Sequence, residues 1–321
     1  MKRFLPVLGA LVLLVAIVGA VVWQRPDSSP EAIAAGDVVV QHADGSLLWR
    51  SGQPETPLVG QVLRELVAVG TPLDRLREAG GALVVTTIDA KAQTGATEVV
   101  RQLTSGRPAS ITAIDPSTGG VRAYVPGTDP AADYAGGVVR EAGAAARPFG
   151  SVVLMRAAGV PERAQVDGRD TELLGTEAAL LRPLDVATAY ATVGADGVHH
   201  ATHFVTHVTE AGGNTLYRAA TGGKPALGTD PGRSKEFAAR VNEELRADPL
   251  CGNTPDAACL PVEVKDGDVV RHAWMIGYTP RLAVVVFVGG ESRPDVQGRP
   301  VTGTGLPNDV LLAFQEKLMA W

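Results

Sequence analysis

The sequence predicts an α/β (α+β) fold: a mainly antiparallel sheet flanked by helices, carried behind an N-terminal transmembrane helix. Three observations predict it. Pairs of short β-prone runs face each other across Gly-, Asn- or Pro-containing turns, the signature of antiparallel hairpins. Amphipathic helical patterns stand before, between and after those pairs, so helices must cover the sheet they form. An uncharged apolar run, Phe4 to Trp23, opens the chain and is long enough at ~1.5 Å per residue to span a ~30 Å hydrocarbon core.

Taken in order, Lys2 and Arg3 precede the apolar run and should stay cytoplasmic, with Trp23 at the far interface. A cleaved signal peptide is the competing reading, with Val18-Gly19-Ala20 as its small-residue cleavage site. Both readings place the rest of the chain outside the plasma membrane; the first makes it a single-pass protein held by residues 4–23. Gln24 to Gly36 is polar and contains Pro, which reads as a linker. Val38 to Trp49 alternates weakly around Asp44-Gly45 and predicts a short hairpin. Pro57 to Glu78 carries two short amphipathic helices separated by Gly70-Thr71-Pro72. Residues 1–24 are therefore assigned as anchor, 25–79 as linker and short leading helices, and 80–321 as the main domain.

Beyond Gly80-Gly81 a β-rich run, Leu83 to Ile88, precedes a helix over Ala90 to Leu103 with Asp89 as N-cap. Ser110–Ile114 and Val121–Val125 flank Asp115-Pro-Ser-Thr-Gly-Gly120 as a hairpin. Pro183 to Val193 reads as a helix with Pro in its first turn and Gly194 at its end. His203–Val208 with Thr215–Arg218, and Ala273–Tyr278 with Leu282–Gly289, complete the hairpins. Asn308 is the expected cap of a closing amphipathic helix through Trp321.

Composition narrows the function. The 321 residues include 37 Gly and 22 Pro with no short period, which excludes a collagen-like chain. Acidic residues number 35 against 29 basic, a formal net charge of −6, so nucleic acid is not an expected partner: phosphate binding needs Lys and Arg to release counterions. Two cysteines cannot build a disulfide scaffold or a four-thiolate zinc site. His199, His200, His203 and His207 cluster, but on one strand His199, His203 and His207 would share a face four residues apart, too far along it to meet at one ion, so no metal and no cofactor is expected. Gly222-Gly223-Lys224 lacks the phosphate-loop pattern and reads as a turn. Cys251 and Cys259 bracket a Gly/Asn/Pro loop; in an exported protein that predicts a local disulfide. Thiol catalysis is the alternative there, although no patterned His accompanies either Cys.

The order of four segments carries a resemblance. Residues 80–93 (GGALVVTTIDAKAQ), 111–127 (ITAIDPSTGGVRAYVPG), 173–198 (LLGTEAALLRPLDVATAYATVGADGV) and 272–290 (HAWMIGYTPRLAVVVFVGG) resemble, collinearly, the transpeptidase domain of penicillin-binding proteins. The helical segment ahead of Gly80 resembles the helix that leads into that domain in class A members, so the resemblance covers about residues 57–321. It implies a class A-like lineage with the glycosyltransferase domain absent, since Trp23 to Gly81 leaves no room for one.

The family's chemistry uses Ser-x-x-Lys, Ser-x-Asn and Lys-Thr-Gly. The segment matching the first is Gly143-Ala144-Ala145-Ala146-Arg147-Pro148-Phe149, with Ala144 where the nucleophile would stand and Arg147 where the Lys would. Alanine has no nucleophilic atom, and a guanidinium cannot be deprotonated in a protein. No Ser in the chain is followed by Lys three residues on, Ser151 included, and no Ser-x-Asn occurs. Only 23 residues separate Phe149 from Leu173, which implies a truncated helical lobe. Lys265-Asp266-Gly267-Asp268 matches the third motif with both hydroxyl positions changed to Asp. Each carboxylate would repel an incoming one by about 1 kcal/mol in water. Read without the resemblance, this tetrad is an exposed charged turn in which Lys265 pairs with Asp266 or Asp268. The resemblance thus implies a membrane-anchored, extracytoplasmic, catalytically inactive protein. It would act as a binding or regulatory partner of cell-wall synthesis or division proteins, or of peptidoglycan itself. An active D,D-transpeptidase or carboxypeptidase with unconventional residues, and a decayed remnant without a role, are the alternatives.

Overall fold

A computed structural model describes residues 36–149, 180–246, 256–290 and 301–319. The apolar run 4–23, Ser151 and Cys251 lie outside the described residues, and among the described residues no helix is long and apolar enough to cross a membrane.

The centre of the molecule is a five-stranded antiparallel sheet in the order β12-β13-β14-β4-β5. β4 (Ala109–Ile114) and β5 (Val121–Val125) form the hairpin expected around Asp115-Gly120. β12 (Ala258–Asp266), β13 (Val269–Tyr278) and β14 (Ala283–Gly289) form a meander, and β14 then pairs with β4. β14 reads Ala-Val-Val-Val-Phe-Val-Gly and is buried throughout, as a central strand covered on both faces must be. One face is covered by α3 (Ala90–Leu103) and α6 (Leu306–Met319), which pack on each other through Val99, Val100, Leu311 and Phe314 among others. The other face is covered by α4 (Pro183–Gly194), in which every residue from Pro183 to Val193 is buried. A helix buried on every side is a core helix, and its polar Asp185, Thr188 and Thr192 are hydrogen-bonded there.

Asp89 caps α3 as expected, its carboxylate accepting from Ala92 N at 2.8 Å. Gly194 ends α4 as expected, as its last helical residue. It is small because a Cβ there would fall 2.8 Å from the Thr279 carbonyl oxygen. Asn308, by contrast, is not a cap. α6 begins two residues earlier, at Leu306, with Pro307 in its first turn, where the missing N–H costs nothing. Asn308 Oδ1 is left buried without a partner among the described residues.

A second sheet, β10-β9-β3-β1-β2, stands beside the first. β1 (Val38–Gln41) and β2 (Leu47–Arg50) form the short hairpin read from the sequence. β1 also pairs in parallel with β3 (Ala82–Thr86), and β3 pairs with β9 (Val205–Glu210), which turns into β10 (Thr215–Arg218). α1 (Pro57–Ala68), capped by the Thr56 hydroxyl, buries Leu58, Val59, Val62 and Leu66 in the principal core, and α2 (Leu73–Glu78) comes after it. Hydrogen bonding and packing therefore run across residue 80: residues 38–79 share a sheet with β3 and β9 and a core with α4. β6 (Arg140–Glu141) pairs with β7 (Leu180–Leu181). β8 (Val198–His200) pairs with β11 (Gly223–Pro225), so the Gly222–Lys224 segment is partly strand and not a turn. Gly223 is needed there because a Cβ would meet Val198 Cγ1 at 2.4 Å. α5 (Pro231–Arg246) completes the described elements.

Candidate active site

Residues 143–147 enter from β6 and wind into a short 3-10 turn, Gly143–Ala146, lying on the edge strand β12. Gly143 adopts φ +55°, a conformation that favours glycine. It is also wedged: a Cβ would fall 2.8 Å from Val264 Cγ2 and 3.0 Å from Val262 Cγ1. Val262 and Val264 are two residues apart on a strand, share a face, and are buried. The turn is held from its far side by α4, where the buried Tyr190 hydroxyl donates to the Ala145 carbonyl at 2.9 Å. Tyr190 also meets Phe149 edge-on at 5.2 Å. Burial pushes the Tyr190 phenol well above its ordinary pKa, so it stays a neutral donor.

Ala144 is half-buried and packs against the principal core, while the Arg147 side chain is exposed. Neither offers a nucleophile or a base, and the strand residues touching the turn are aliphatic. Lys265 to Asp268 sit further along, at the tip of the β12–β13 hairpin, with Gly267 at φ +58° and Lys265, Asp266 and Asp268 exposed. Lys265 does not pair with Asp266 or Asp268, as the sequence suggested. Its Nζ lies 2.8 Å from Glu263 Oε2, because residues two apart on a strand share a face. That hydrogen bond lowers the Glu263 pKa and raises that of Lys265. Glu263 Oε1 also accepts from Gly303 N at 2.9 Å, which fastens residues 301–305 against β12.

No family model matches the chain. Penicillin-binding protein 1A of Mycolicibacterium smegmatis is 36% identical over 147 residues, and penicillin-binding protein 1A of Mycobacterium tuberculosis 32% identical over 145. Each match takes in 42% of this chain and spans only 18% of the relative's length. The penicillin-binding protein PonA1 of Mycobacterium tuberculosis superposes with a TM-score of 0.67 at 22% identity, over 82% of this chain and 91% of that one. Penicillin-binding protein A of the same organism, solved as a penicillin G acyl-enzyme complex, superposes at 0.65 and 15% identity, over 90% and 100%. The fold is that of the penicillin-binding-protein transpeptidases. Within that transpeptidase fold, the 3-10 turn that carries Ala144 lies against β12, where Gly143 meets Val262 and Val264. The Lys265–Asp268 segment that matches by sequence lies past that contact, at the hairpin tip.

The histidines do not form one row on one strand. His199 and His200 are on β8, His203 makes an isolated bridge with Gly120, and His207 is on β9 in another sheet. Their Nδ1 atoms face local partners at His199 (Thr192 Oγ1, 3.3 Å), His200 (Thr221 O, 2.8 Å) and His203 (Ala201 O, 2.9 Å). No group of three or more metal-ligating side chains occurs among the described residues. Cys259 is disulfide-bonded and buried in β12, while Cys251 lies outside the described residues.

Three residues with consequences were not singled out in the sequence: Tyr190, which braces the turn; His272, buried beside Trp274; and Glu65, whose carboxylate accepts from Phe204 N at 2.6 Å and Val205 N at 3.3 Å. For Glu65 the signal was present. It sits one residue before the buried Leu66, at the edge of the apolar stripe of α1.

Proposed function

We propose that this protein is a non-catalytic transpeptidase-fold protein, held at the plasma membrane by residues 4–23. In this reading it faces outward and works as a binding or regulatory partner in peptidoglycan synthesis or division. The observation that carries the reading is the contact of the Gly143–Ala146 turn with β12. By its match to the first motif Ala144 stands where the nucleophile would, and the turn that carries it rests through Gly143 on the aliphatic Val262 and Val264. Acylation requires an oxygen or sulfur nucleophile and a proton acceptor. Ala144 supplies neither, and Arg147 is no base.

The test is labelling of the full chain with a fluorescent penicillin on a denaturing gel. No covalent band is expected, and Ala144→Ser alone should not create one, because the base and the second motif are missing too. A band abolished by boiling the protein first would overturn the reading and restore the active D,D-transpeptidase or carboxypeptidase. The topology has its own check: protease added to intact cells should digest residues 36–319, and their protection would refute the outward placement.

A further inference from the structure

At the end of the main sheet beyond the 3-10 turn, a half-open cavity of ≈ 600 Å³ is cut into the face that carries Phe287 and Trp274. It exists because the row of side chains runs out there. Gly289, opposite His272 in the β13–β14 register, puts no side chain on that face. Pro108, whose carbonyl accepts from Gly289 N, closes the far side. Arg140, Arg271 and His272 line the cavity, with Val269 and Asp266 at its mouth. The volume falls in the range of small-ligand sites, ~300–1,000 Å³.

The lining is chemically specific. His272 is only 4% exposed. Its Nε2 lies 2.8 Å from the Glu141 carbonyl oxygen, which can only accept, so Nε2 carries the proton. Burial first, with Arg140 and Arg271 adding to it, holds the imidazole below its ordinary pKa, so the ring is neutral and Nδ1 is a bare acceptor. Nδ1 has no partner among the described residues, and the ring is one wall of the cavity. An open acceptor on a cavity wall can take a hydrogen bond from a ligand that enters the cavity. Beside it, the Arg140 guanidinium lies 5.7 Å over the Phe287 ring and spends one donor on the Val139 carbonyl. Arg271 spends one on Glu141 Oε1 at 3.2 Å. Each fork has five donors, so both keep N–H groups to offer.

We propose that this cavity binds a hydroxylated anion of monosaccharide size, whose hydroxyl donates to His272 Nδ1 and whose oxyanion is held by Arg140 and Arg271. The oxyanion can come from a carboxylate or from a phosphate ester; the chemistry at the two forks is the same. The site does not rest on the reading of the Gly143–Ala146 turn, and penicillin labelling is silent about it.

Calorimetric titration of the full chain with glucose 6-phosphate and with glucuronate tests it, and whichever binds names the source of the oxyanion. Binding should shift the His272 Nδ1 resonance and weaken as salt is raised. Arg271→Gln should weaken it at least tenfold, and Val269→Trp, which crowds the mouth from an exposed position, should abolish it. Both variants alter solvent-exposed side chains, so folding is kept. Absence of binding by both probes at millimolar concentration, or binding indifferent to both variants, would overturn the proposal. So would inorganic phosphate binding as tightly as glucose 6-phosphate with His272 unmoved, since the hydroxyl would then have no role.

Discussion

Glu65→Gln should make the protein more stable at pH 8 and remove one step from its pH dependence. Glu65 projects from α1 into the start of β9, half-buried, where its carboxylate takes the backbone N–H groups of Phe204 and Val205. Burial raises its pKa from 4.5 to about 7; the two backbone N–H bonds oppose that rise without cancelling it. A carboxyl whose pKa is higher in the folded state binds more protons there than in the unfolded chain between those two values. Stability must then fall as pH rises from about 4.5 to 7 and stay lower above that. At ~1.36 kcal/mol per pH unit, the full effect is about 3 kcal/mol. Gln keeps one oxygen, for the short bond from Phe204 N, gives up the 3.3 Å one from Val205 N, and carries no charge to desolvate. Urea unfolding followed by tryptophan fluorescence, at pH 5, 6, 7 and 8, should show the variant gaining on the wild type through this window, by up to about 3 kcal/mol at pH 8. Other titrating groups cancel in the difference. A variant less stable than the wild type at pH 8, with the gap constant from pH 5, would mean that the N–H bonds outweigh burial and would refute the reasoning.

Three further outcomes rest on single contacts. Tyr190→Phe removes the donor to Ala145 O inside the core and should cost about 1–2 kcal/mol, read as a lowered urea midpoint; an unchanged midpoint would show that the turn needs no brace. Thr112→Val replaces a buried hydroxyl that has no partner among the described residues by a methyl of the same shape. It should stabilise by about 1 kcal/mol, and a loss would place an ordered water on that oxygen. Peptide mapping without reductant should recover Cys251 and Cys259 linked, and reduction should cost about 2–3 kcal/mol for so short a loop; alkylation of both thiols in the native protein would count against the pairing.

What was legible in the sequence was whatever is locally encoded. Asp115 to Gly120 is a turn in any context, so the β4–β5 hairpin could be read directly, and Asp89 before an amphipathic run caps α3 whatever it packs on. Positions set by tertiary contact were not legible. Lys265–Asp268 could be picked out by its letters, but its place at a hairpin tip, past the seat of Gly143 on Val262 and Val264, follows from the register of β12 and has no local signature. The histidines look like a row because the break at residues 201–204, which sends β8 and β9 to different sheets, is made by packing. Asn308 has the residue type of a cap, but Pro307 tolerates the first helical turn better than any cap is needed there. The cavity at His272 depends on a glycine opposite it across two strands, a relation visible only once the register is known.

The main sheet ends at β12, and a sheet's last strand offers its unpaired backbone to any other extended chain. Here that offer is withdrawn residue by residue. Pro261 has no N–H to give. Gly303 lies on the backbone of Val262, so close that a Cβ would sit 2.9 Å from its nitrogen. Glu263 and Lys265 come next with their charges. The segment that seals the edge is the same one that launches α6, so damage to the end of the fold should announce itself as self-association. A chain cut before residue 301 should form fibrillar aggregates seeded at β12, and replacing Val262 by Pro in that shortened chain should suppress them.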